Sequence, residues 1–343
     1  MSAAAVALAL ALAAAAGLGA EAIGAPLPWL LGPLVAGAAA AIADLRPFGV
    51  APRMPRWTRP VFAPVIGVAI GATVTPDLVA QAPGWWPSLL AVLPFVAAVQ
   101  LVNYAVLRRL GGFDRPTAFF GASPGGIVDA VIIGEARGGH GATMATQHLA
   151  RIALAVAAVP LLLRLVAAAT GAPAAAPPAA GRPGAAGTAA LAACAVLGAL
   201  AGVPLLLPAG VMLGPLLASA GAHLAGLTTA QVPGLALHLA QMAVGVMIGL
   251  QFRGLGRAAL LRGLGLAAAT TALALLIAAA TALALAPLAP APAAAIFLAF
   301  APGGVAEMGL VAVSLGAEPA FVVAHHLLRI TATVTLAPVL YDR

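Results

Sequence analysis

Apolar residues run along this chain in blocks about as long as a membrane helix, and polar residues gather in the breaks between them. The first half holds blocks at 3–20, 27–44, 60–76, 86–107, 117–135 and 146–168. The second half holds blocks at 188–206, 209–226, 235–252, 258–286, 292–315 and 320–340. Alternation of period two is missing, so the blocks predict helices and not the strands of a membrane barrel. Between the halves, residues 169–187 include GAPAAAPPAAGRPGAAG, whose prolines and glycines forbid a continuous helix. The pattern predicts two membrane repeats, 1–168 and 188–343, joined by this linker.

The polar residues that persist inside the blocks recur. Phe119, Ser123-Pro124-Gly125-Gly126-Ile127, Asp129, Gln147-His148-Leu149, Arg151-Ile152 and Pro160 occupy the first half. At 178 positions further on stand Phe297, Ala301-Pro302-Gly303-Gly304-Val305, Glu307, His325-His326-Leu327, Arg329-Ile330 and Pro338. Gly67-Val68-x-Ile70-Gly71 matches Gly245-Val246-x-Ile248-Gly249 at the same offset. Pro26…Leu31-Gly32-Pro33-Leu34 matches Pro208…Leu213-Gly214-Pro215-Leu216 at an offset of 182. Ala/Leu bias does not produce ordered matches at nearly constant spacing, so the chain reads as an internal duplication.

Arginine placement bears on orientation. Arg46, Arg53, Arg56 and Arg59 follow the second block, whereas Arg253, Arg257 and Arg262 follow the third block of the second half. The equivalent first-half loop, near Asp77, has no arginine. If arginine-rich loops are cytoplasmic, the two repeats face opposite ways. Inversion requires an odd number of crossings per repeat, yet each half has six blocks. One block per half must then re-enter or stop short; six crossings in parallel repeats is the alternative. The fold expected is an all-α polytopic membrane protein with two internal repeats, inverted, of about 10–12 membrane segments with a broken Pro-Gly-Gly helix in each.

Composition agrees with the pattern and narrows the classes. The 343 residues are 63% hydrophobic and 7% charged, with a mean hydropathy of +1.10, against roughly 25% charged in soluble domains. The net charge of +7 comes from arginines that flank the blocks, with no basic, aromatic-interleaved module for nucleic acid. Cys194 is the sole cysteine, so no intrachain disulfide or cysteine metal cluster is expected. Met1–Ala20 lacks a basic leader and reads as a first membrane helix.

Candidate chemistry follows from residues that lipid rejects. Ser123, Pro124, Gly125, Gly126 and Asp129, with Pro302, Gly303, Gly304 and Glu307, form the candidate substrate or ion site. Proline removes a backbone donor and paired glycines weaken the helix, so unwound backbone there would line a buried cavity. A packing kink is the plain alternative. Asp129 and Glu307 are a matched acid pair, read either as proton or cation carriers or as structural partners of Arg151 and Arg329. Gln147, His148, His325 and His326, with the two arginines, are the candidate coupling or supporting residues. His-x-x-Arg places both side chains on one helical face, for proton relay or for hydrogen bonding between helices. No chelating spacing appears, so no metal and no cofactor is expected, and no catalytic group is assigned. The Gly67/Gly71 and Gly245/Gly249 pairs predict close helix packing. Trp57, Trp85 and Trp86 fall at block ends as interfacial anchors do.

With Pro-Trp-Leu-Leu-Gly-Pro-Leu at 28–34, Ser-Pro-Gly-Gly-Ile-Val-Asp at 123–129 and Ala-Pro-Gly-Gly-Val-Ala-Glu-Met at 301–308, the chain resembles the bacterial membrane AbrB family over nearly its whole length. That family is distinct from the small DNA-binding fold of the same name. Its members carry labels as transcriptional regulators or ammonia monooxygenases. The resemblance implies a duplicated inner-membrane protein linked to regulation of gene expression. The residues fit neither label as chemistry: a DNA-binding regulator needs a basic soluble domain, and a copper or iron oxygenase needs a cluster of ligands. The expected function is a secondary transporter for a small polar or charged solute, coupled to H⁺ or another cation. A membrane sensor or indirect regulator is the alternative, and an enzyme is not expected. Expected partners are membrane lipid, the solute, the coupling cation and a second copy in a homodimer, with no nucleic acid.

Overall fold

The computed structural model describes residues 3–55, 57–170, 183–205, 209–253 and 257–342. Among these the regular structure is helical, without strands. In chain order the helices are α1 (Ala3–Ala22), α2 (Pro28–Ile42), α3 (Thr58–Gly71), α4 (Pro76–Gln81), α5 (Trp86–Arg109), α6 (Arg115–Ala122), α7 (Ile127–Glu135) and α8 (Gly141–Thr170). Then come α9 (Ala185–Gly202), α10 (Gly210–Leu224), α11 (Gly234–Leu250), α12 (Arg257–Leu285), α13 (Ala293–Phe300), α14 (Val305–Leu315) and α15 (Pro319–Asp342). Ala and Leu favour helix throughout. Pro28, Pro76 and Pro319 open α2, α4 and α15, where the missing N–H costs nothing.

Among the described residues six stretches are long and apolar enough to span a membrane: Ala3–Ala22, Pro76–Arg109, Gly141–Ala169, Ala185–Gly202, Arg262–Leu285 and Pro319–Tyr341. The chain is a multi-pass membrane protein. The blocks expected at 27–44, 60–76, 209–226 and 235–252 are shorter as helices, at 15, 14, 15 and 17 residues. Rising about 1.5 Å per residue, none reaches the ~30 Å of a hydrocarbon core by itself. The expected linker lies mostly outside the described residues, since 171–182 are not among them, and helix enters its ends at Thr170 and Ala185. Pro208 and Arg56 also lie outside them.

The chain forms two compact units, and both draw on both halves. The first contains residues 1–81, 160–254 and 309–320. Its helices pack by backbone contact at glycine. A Cβ at Gly245 would strike the Leu30 carbonyl, and one at Gly249 the Leu34 carbonyl. A Cβ at Gly67 would strike the Met212 carbonyl, and one at Gly71 the Leu216 carbonyl. The small-residue pairs thus make reciprocal contacts: α11 on α2, and α3 on α10, each pair parallel. Within the hairpins, Gly17 faces Trp29 while Gly32 faces Ala16, and Gly198 faces Pro215 while Gly202 faces Gly210. So α1 opposes α2, and α9 opposes α10. The start of α3 meets the end of α11, where Thr58 bonds the Met247 sulfur at 3.0 Å. Taken together, α1, α3 and α10 run one way and α2, α9 and α11 the other. Arg253, after α11, donates to Asp44, after α2, at 2.6 Å. Both arginine-rich loops therefore leave the same face of this unit. Arg46 also binds Asp44, and its hydrogen bond, with help from Arg253, holds that carboxyl below the usual range.

The second unit contains residues 82–159, 255–308 and 321–343. Here α5 and α12 lie antiparallel. Gly84 faces Pro290 at one end, and Leu107 packs with Leu266 at the other. Trp85 is buried, 9% exposed, edge-on to Phe321, so it is a packing residue and not the interfacial anchor expected; Trp57 and Trp86 are exposed.

Candidate functional site

Two helices of the second unit stop at the Pro-Gly-Gly segments. α6 ends at Ala122 and α7 begins at Ile127; α13 ends at Phe300 and α14 begins at Val305. Gly126 sits at φ 66°, a left-handed geometry that only glycine adopts freely. At the first Pro-Gly-Gly segment the chain turns back on itself: Gly134 of α7 lies against Phe120 of α6, and the His140 N–H donates to the Thr117 hydroxyl at 2.8 Å. α6 and α7 are thus a short helical hairpin with residues 123–126 at its tip. α8 then runs beside α6, in the same direction.

The matched His-x-x-Arg pairs grip the ends of α6 and α13. Arg151 donates to the Ala122 carbonyl at 3.1 Å and to the Ser123 carbonyl. Arg329 donates to the Ala301 and Gly303 carbonyls, both at 2.7 Å. His148 and His326 contact the Phe120 and Leu298 carbonyls at 2.9 and 3.0 Å. Each ring Nδ1 faces its arginine, at 2.8 and 3.0 Å. A guanidinium only donates, so Nδ1 accepts and the ring proton lies on Nε2, which donates to the carbonyl. Both ring nitrogens are therefore occupied. The physics is that of a helix C-terminus: carbonyls without intrahelical partners, carrying partial negative charge, receive cationic donors. Both arginines are buried, at 5% and 1% exposure.

The alternative in which Asp129 and Glu307 pair with these arginines does not occur. The ion pairs among the described residues are Asp44 with Arg46, Asp44 with Arg253, and Asp342 with Arg137. The acids take the third position of α7 and α14, after Gly126 and Gly304, where negative charge meets free N–H groups. Asp129 is exposed and Glu307 half-buried, so the expected pair of buried acids is corrected at Asp129.

The remaining pair reaches across to the opposite half. Gln147 donates to the Gly263 carbonyl of α12 at 3.2 Å, and His325 bonds Ser88 of α5 at 2.9 Å. The first tip also packs against α15, with Gly125 beside Ile330 and Gly126 beside Val334. A crevice of about 10 Å³, room for roughly one water, opens there. Ser123, Gly125, Gly126 and Asp129 line one side, and Thr333 and Val334 the other. Thr333 was absent from the sequence expectations. Its position matches Ala155 in the first copy, so a search for repeated residues passes over it. Below the crevice, Arg137 holds both Asp342 oxygens, at 2.9 and 2.6 Å, and these bonds keep the Asp342 carboxyl below the usual carboxylate range. No group of three or more potential metal ligands occurs among the described residues.

Known proteins are similar to this chain over most of its length. An Escherichia coli (strain K12) protein named "Putative regulator AbrB" is 26% identical over 322 residues, covering 92% of this chain and 90% of its own. A Bacillus subtilis (strain 168) protein, "Uncharacterized protein YhjN", is 27% identical over 345 residues, covering 93% of this chain and 87% of its own. The family model described as "Transition state regulatory protein AbrB" matches residues 29–343, both Pro-Gly-Gly tips included, and the chain therefore belongs to the AbrB family.

Proposed function

We propose that this chain is a bacterial inner-membrane secondary transporter for a small polar or charged solute, coupled to H⁺ or another cation. In this reading it consists of two inverted repeats, each with five crossings, two of them by short helices, and one interrupted segment that enters and returns as α6 and α7 do. The observation that carries it is the pair of interrupted helices, each held by a buried His-x-x-Arg partway along a long apolar helix. Arg151 and Arg329 stand ten residues into α8 and α15, about 15 Å from their starts, which is half of a ~30 Å core. Interrupted helices at that depth supply free backbone groups for a solute or ion. The reciprocal glycine contacts support the duplication, and the opposite directions of α2 and α10, of α3 and α11, and of α5 and α12 support inversion. A hairpin that enters and returns also removes the conflict of six blocks with an odd crossing number.

The roles divide by position. The arginines and His148 and His326 hold the tips and are positioning residues. Asp129, which lines the crevice at the first tip, and Glu307, at the matched position, are the residues assigned to bind or couple. Reconstituted into proteoliposomes, the wild-type protein is expected to take up solute when a cation gradient is imposed. Asp129→Asn and Glu307→Gln should insert normally yet lose most of that flux. Wild-type flux with unchanged pH dependence in both amide variants would remove the coupling role.

Orientation has its own test. In a Cys194→Ala background, Phe48→Cys and Gln251→Cys lie on the face shared by the two arginine-rich loops, and Ile23→Cys and Leu227→Cys on the other. An impermeant thiol reagent added outside intact cells should label the last two and spare the first two. Labelling of Phe48→Cys without Gln251→Cys, or the reverse, would defeat inversion. A regulatory role, which the name of the Escherichia coli relative suggests, would act for this chain through the solute it moves, and would vanish in the flux-dead variants.

A further inference from the structure

The crevice at the first tip is lined by oxygen-bearing side chains. Ser123 and Thr333 are 1% and 3% exposed, both line the crevice, and neither hydroxyl has a hydrogen-bond partner. Such orphaned buried hydroxyls are rare. A threonine inside a helix ordinarily bonds back to its own chain. Thr146, Thr270, Thr281 and Thr335 all do so, to the carbonyl four residues earlier, whereas Thr271 and Thr333 do not, and of these two Thr333 lines the crevice. Its oxygen is left to the crevice. Asp129, on the same side as Ser123, contributes the one carboxylate.

We infer that Ser123 Oγ, Thr333 Oγ1 and the Asp129 carboxylate bind a single dehydrated monovalent cation of sodium size. The inference rests on the transport reading for its use, and on the crevice alone for its existence. All the donors are oxygen, which disfavours the softer transition metals. One carboxylate and room for one water are too little for Ca²⁺, which takes six to eight oxygens, or for Mg²⁺, which keeps its waters. Two neutral hydroxyls and one negative charge suit a monovalent ion. The charged neighbour, Arg151, is already engaged by the Ala122 and Ser123 carbonyls. The second copy has Ala301 where the first has Ser123, and α8 has Ala155 where α15 has Thr333. The hydroxyl pair therefore occurs once per chain, and so does the site.

Purified full-length protein, in detergent with choline replacing Na⁺, is titrated with radiolabelled Na⁺. Saturable binding of one ion per chain is expected, with K⁺ a poor competitor. Ser123→Ala and Thr333→Val should each weaken binding about tenfold or more, as loss of a bond to a charge does. Thr333→Ser should retain it. The other repeat already carries alanine at the position matching Ser123, so that variant tests the oxygen and not the fold. No saturable Na⁺ binding by monodisperse wild type, equal competition by K⁺, or undiminished binding in the Ser123→Ala/Thr333→Val double variant would each overturn the site. Na⁺ binding without solute flux would keep the site and remove the transporter; proton-driven flux without Na⁺ binding would do the reverse.

Discussion

Arg329→Ala should leave little folded protein. The guanidinium is 1% exposed and serves three acceptors: the Ala301 carbonyl, the Gly303 carbonyl and His326 Nδ1. The first two lie just past the end of α13, where no intrahelical donor is available. Truncation strands all three, two of them in fully buried surroundings. An unsatisfied buried group costs about 1–3 kcal/mol, so the loss is on the order of 3–5 kcal/mol or more, against a total stability of about 5–15 kcal/mol. Arg151→Ala should behave alike, since it strands the Ala122 and Ser123 carbonyls. Arg329→Lys should fall between, because an ammonium cannot span two carbonyls and an imidazole as a planar fork does. Size-exclusion profiles and thermal inactivation in detergent measure the effect. An Arg329→Ala protein that is monodisperse with wild-type inactivation temperature would show that the grip is dispensable. Asp129→Asn, at an exposed position without an ion pair, should by contrast keep wild-type stability.

Gly245→Ala should destabilise the first unit, and Gly67→Ala should do so by a similar amount. At each position a new Cβ meets a backbone carbonyl oxygen, of Leu30 and of Met212. Neither backbone can retreat freely, because the next glycine along, Gly249 or Gly71, holds the same pair of helices one turn away. Overpacking of this kind costs about 1–3 kcal/mol. Gly221 supplies the control: it is also helical, but a Cβ there meets nothing within 4 Å. Gly221→Ala should be neutral, or stabilising by up to about 1 kcal/mol through helix propensity. Thermal unfolding of the three variants side by side is the measurement. A neutral Gly245→Ala alongside a damaging Gly67→Ala would break the reciprocity on which the duplicated packing rests.

What the sequence disclosed depended on whether a residue's reason for being there is local. Helix positions were legible because lipid demands long apolar runs, and Pro28, Pro76 and Pro319 mark starts. The ends of α6 and α13 and the starts of α7 and α14 fall where proline and paired glycine act on their own chain. His148 with Arg151, and His326 with Arg329, were legible as couples because three residues of helix put them on one face. Their acceptors were not, for the carbonyls of Ala122 and Ala301 belong to every residue alike and carry no letter of their own. That is why the acids looked like natural partners, although Asp129 and Glu307 answer the other end of the break, where N–H groups are free. Thr333 was hidden for a different reason: it matters only through a hairpin tip some two hundred residues earlier, and it breaks the repeat that drew attention to its neighbours.

The interleaving of the two halves also governs how the protein can be made. α2 and α3 reach the membrane early, yet the helices they lock onto, α11 and α10, are translated only in the second half. Until then the bare faces of α2 and α3 lie against lipid, helices of 15 and 14 residues waiting in a bilayer too thick for them. A chain interrupted before α10 should therefore lack the helices that α2 and α3 lock onto, and is not expected to form half of a working protein.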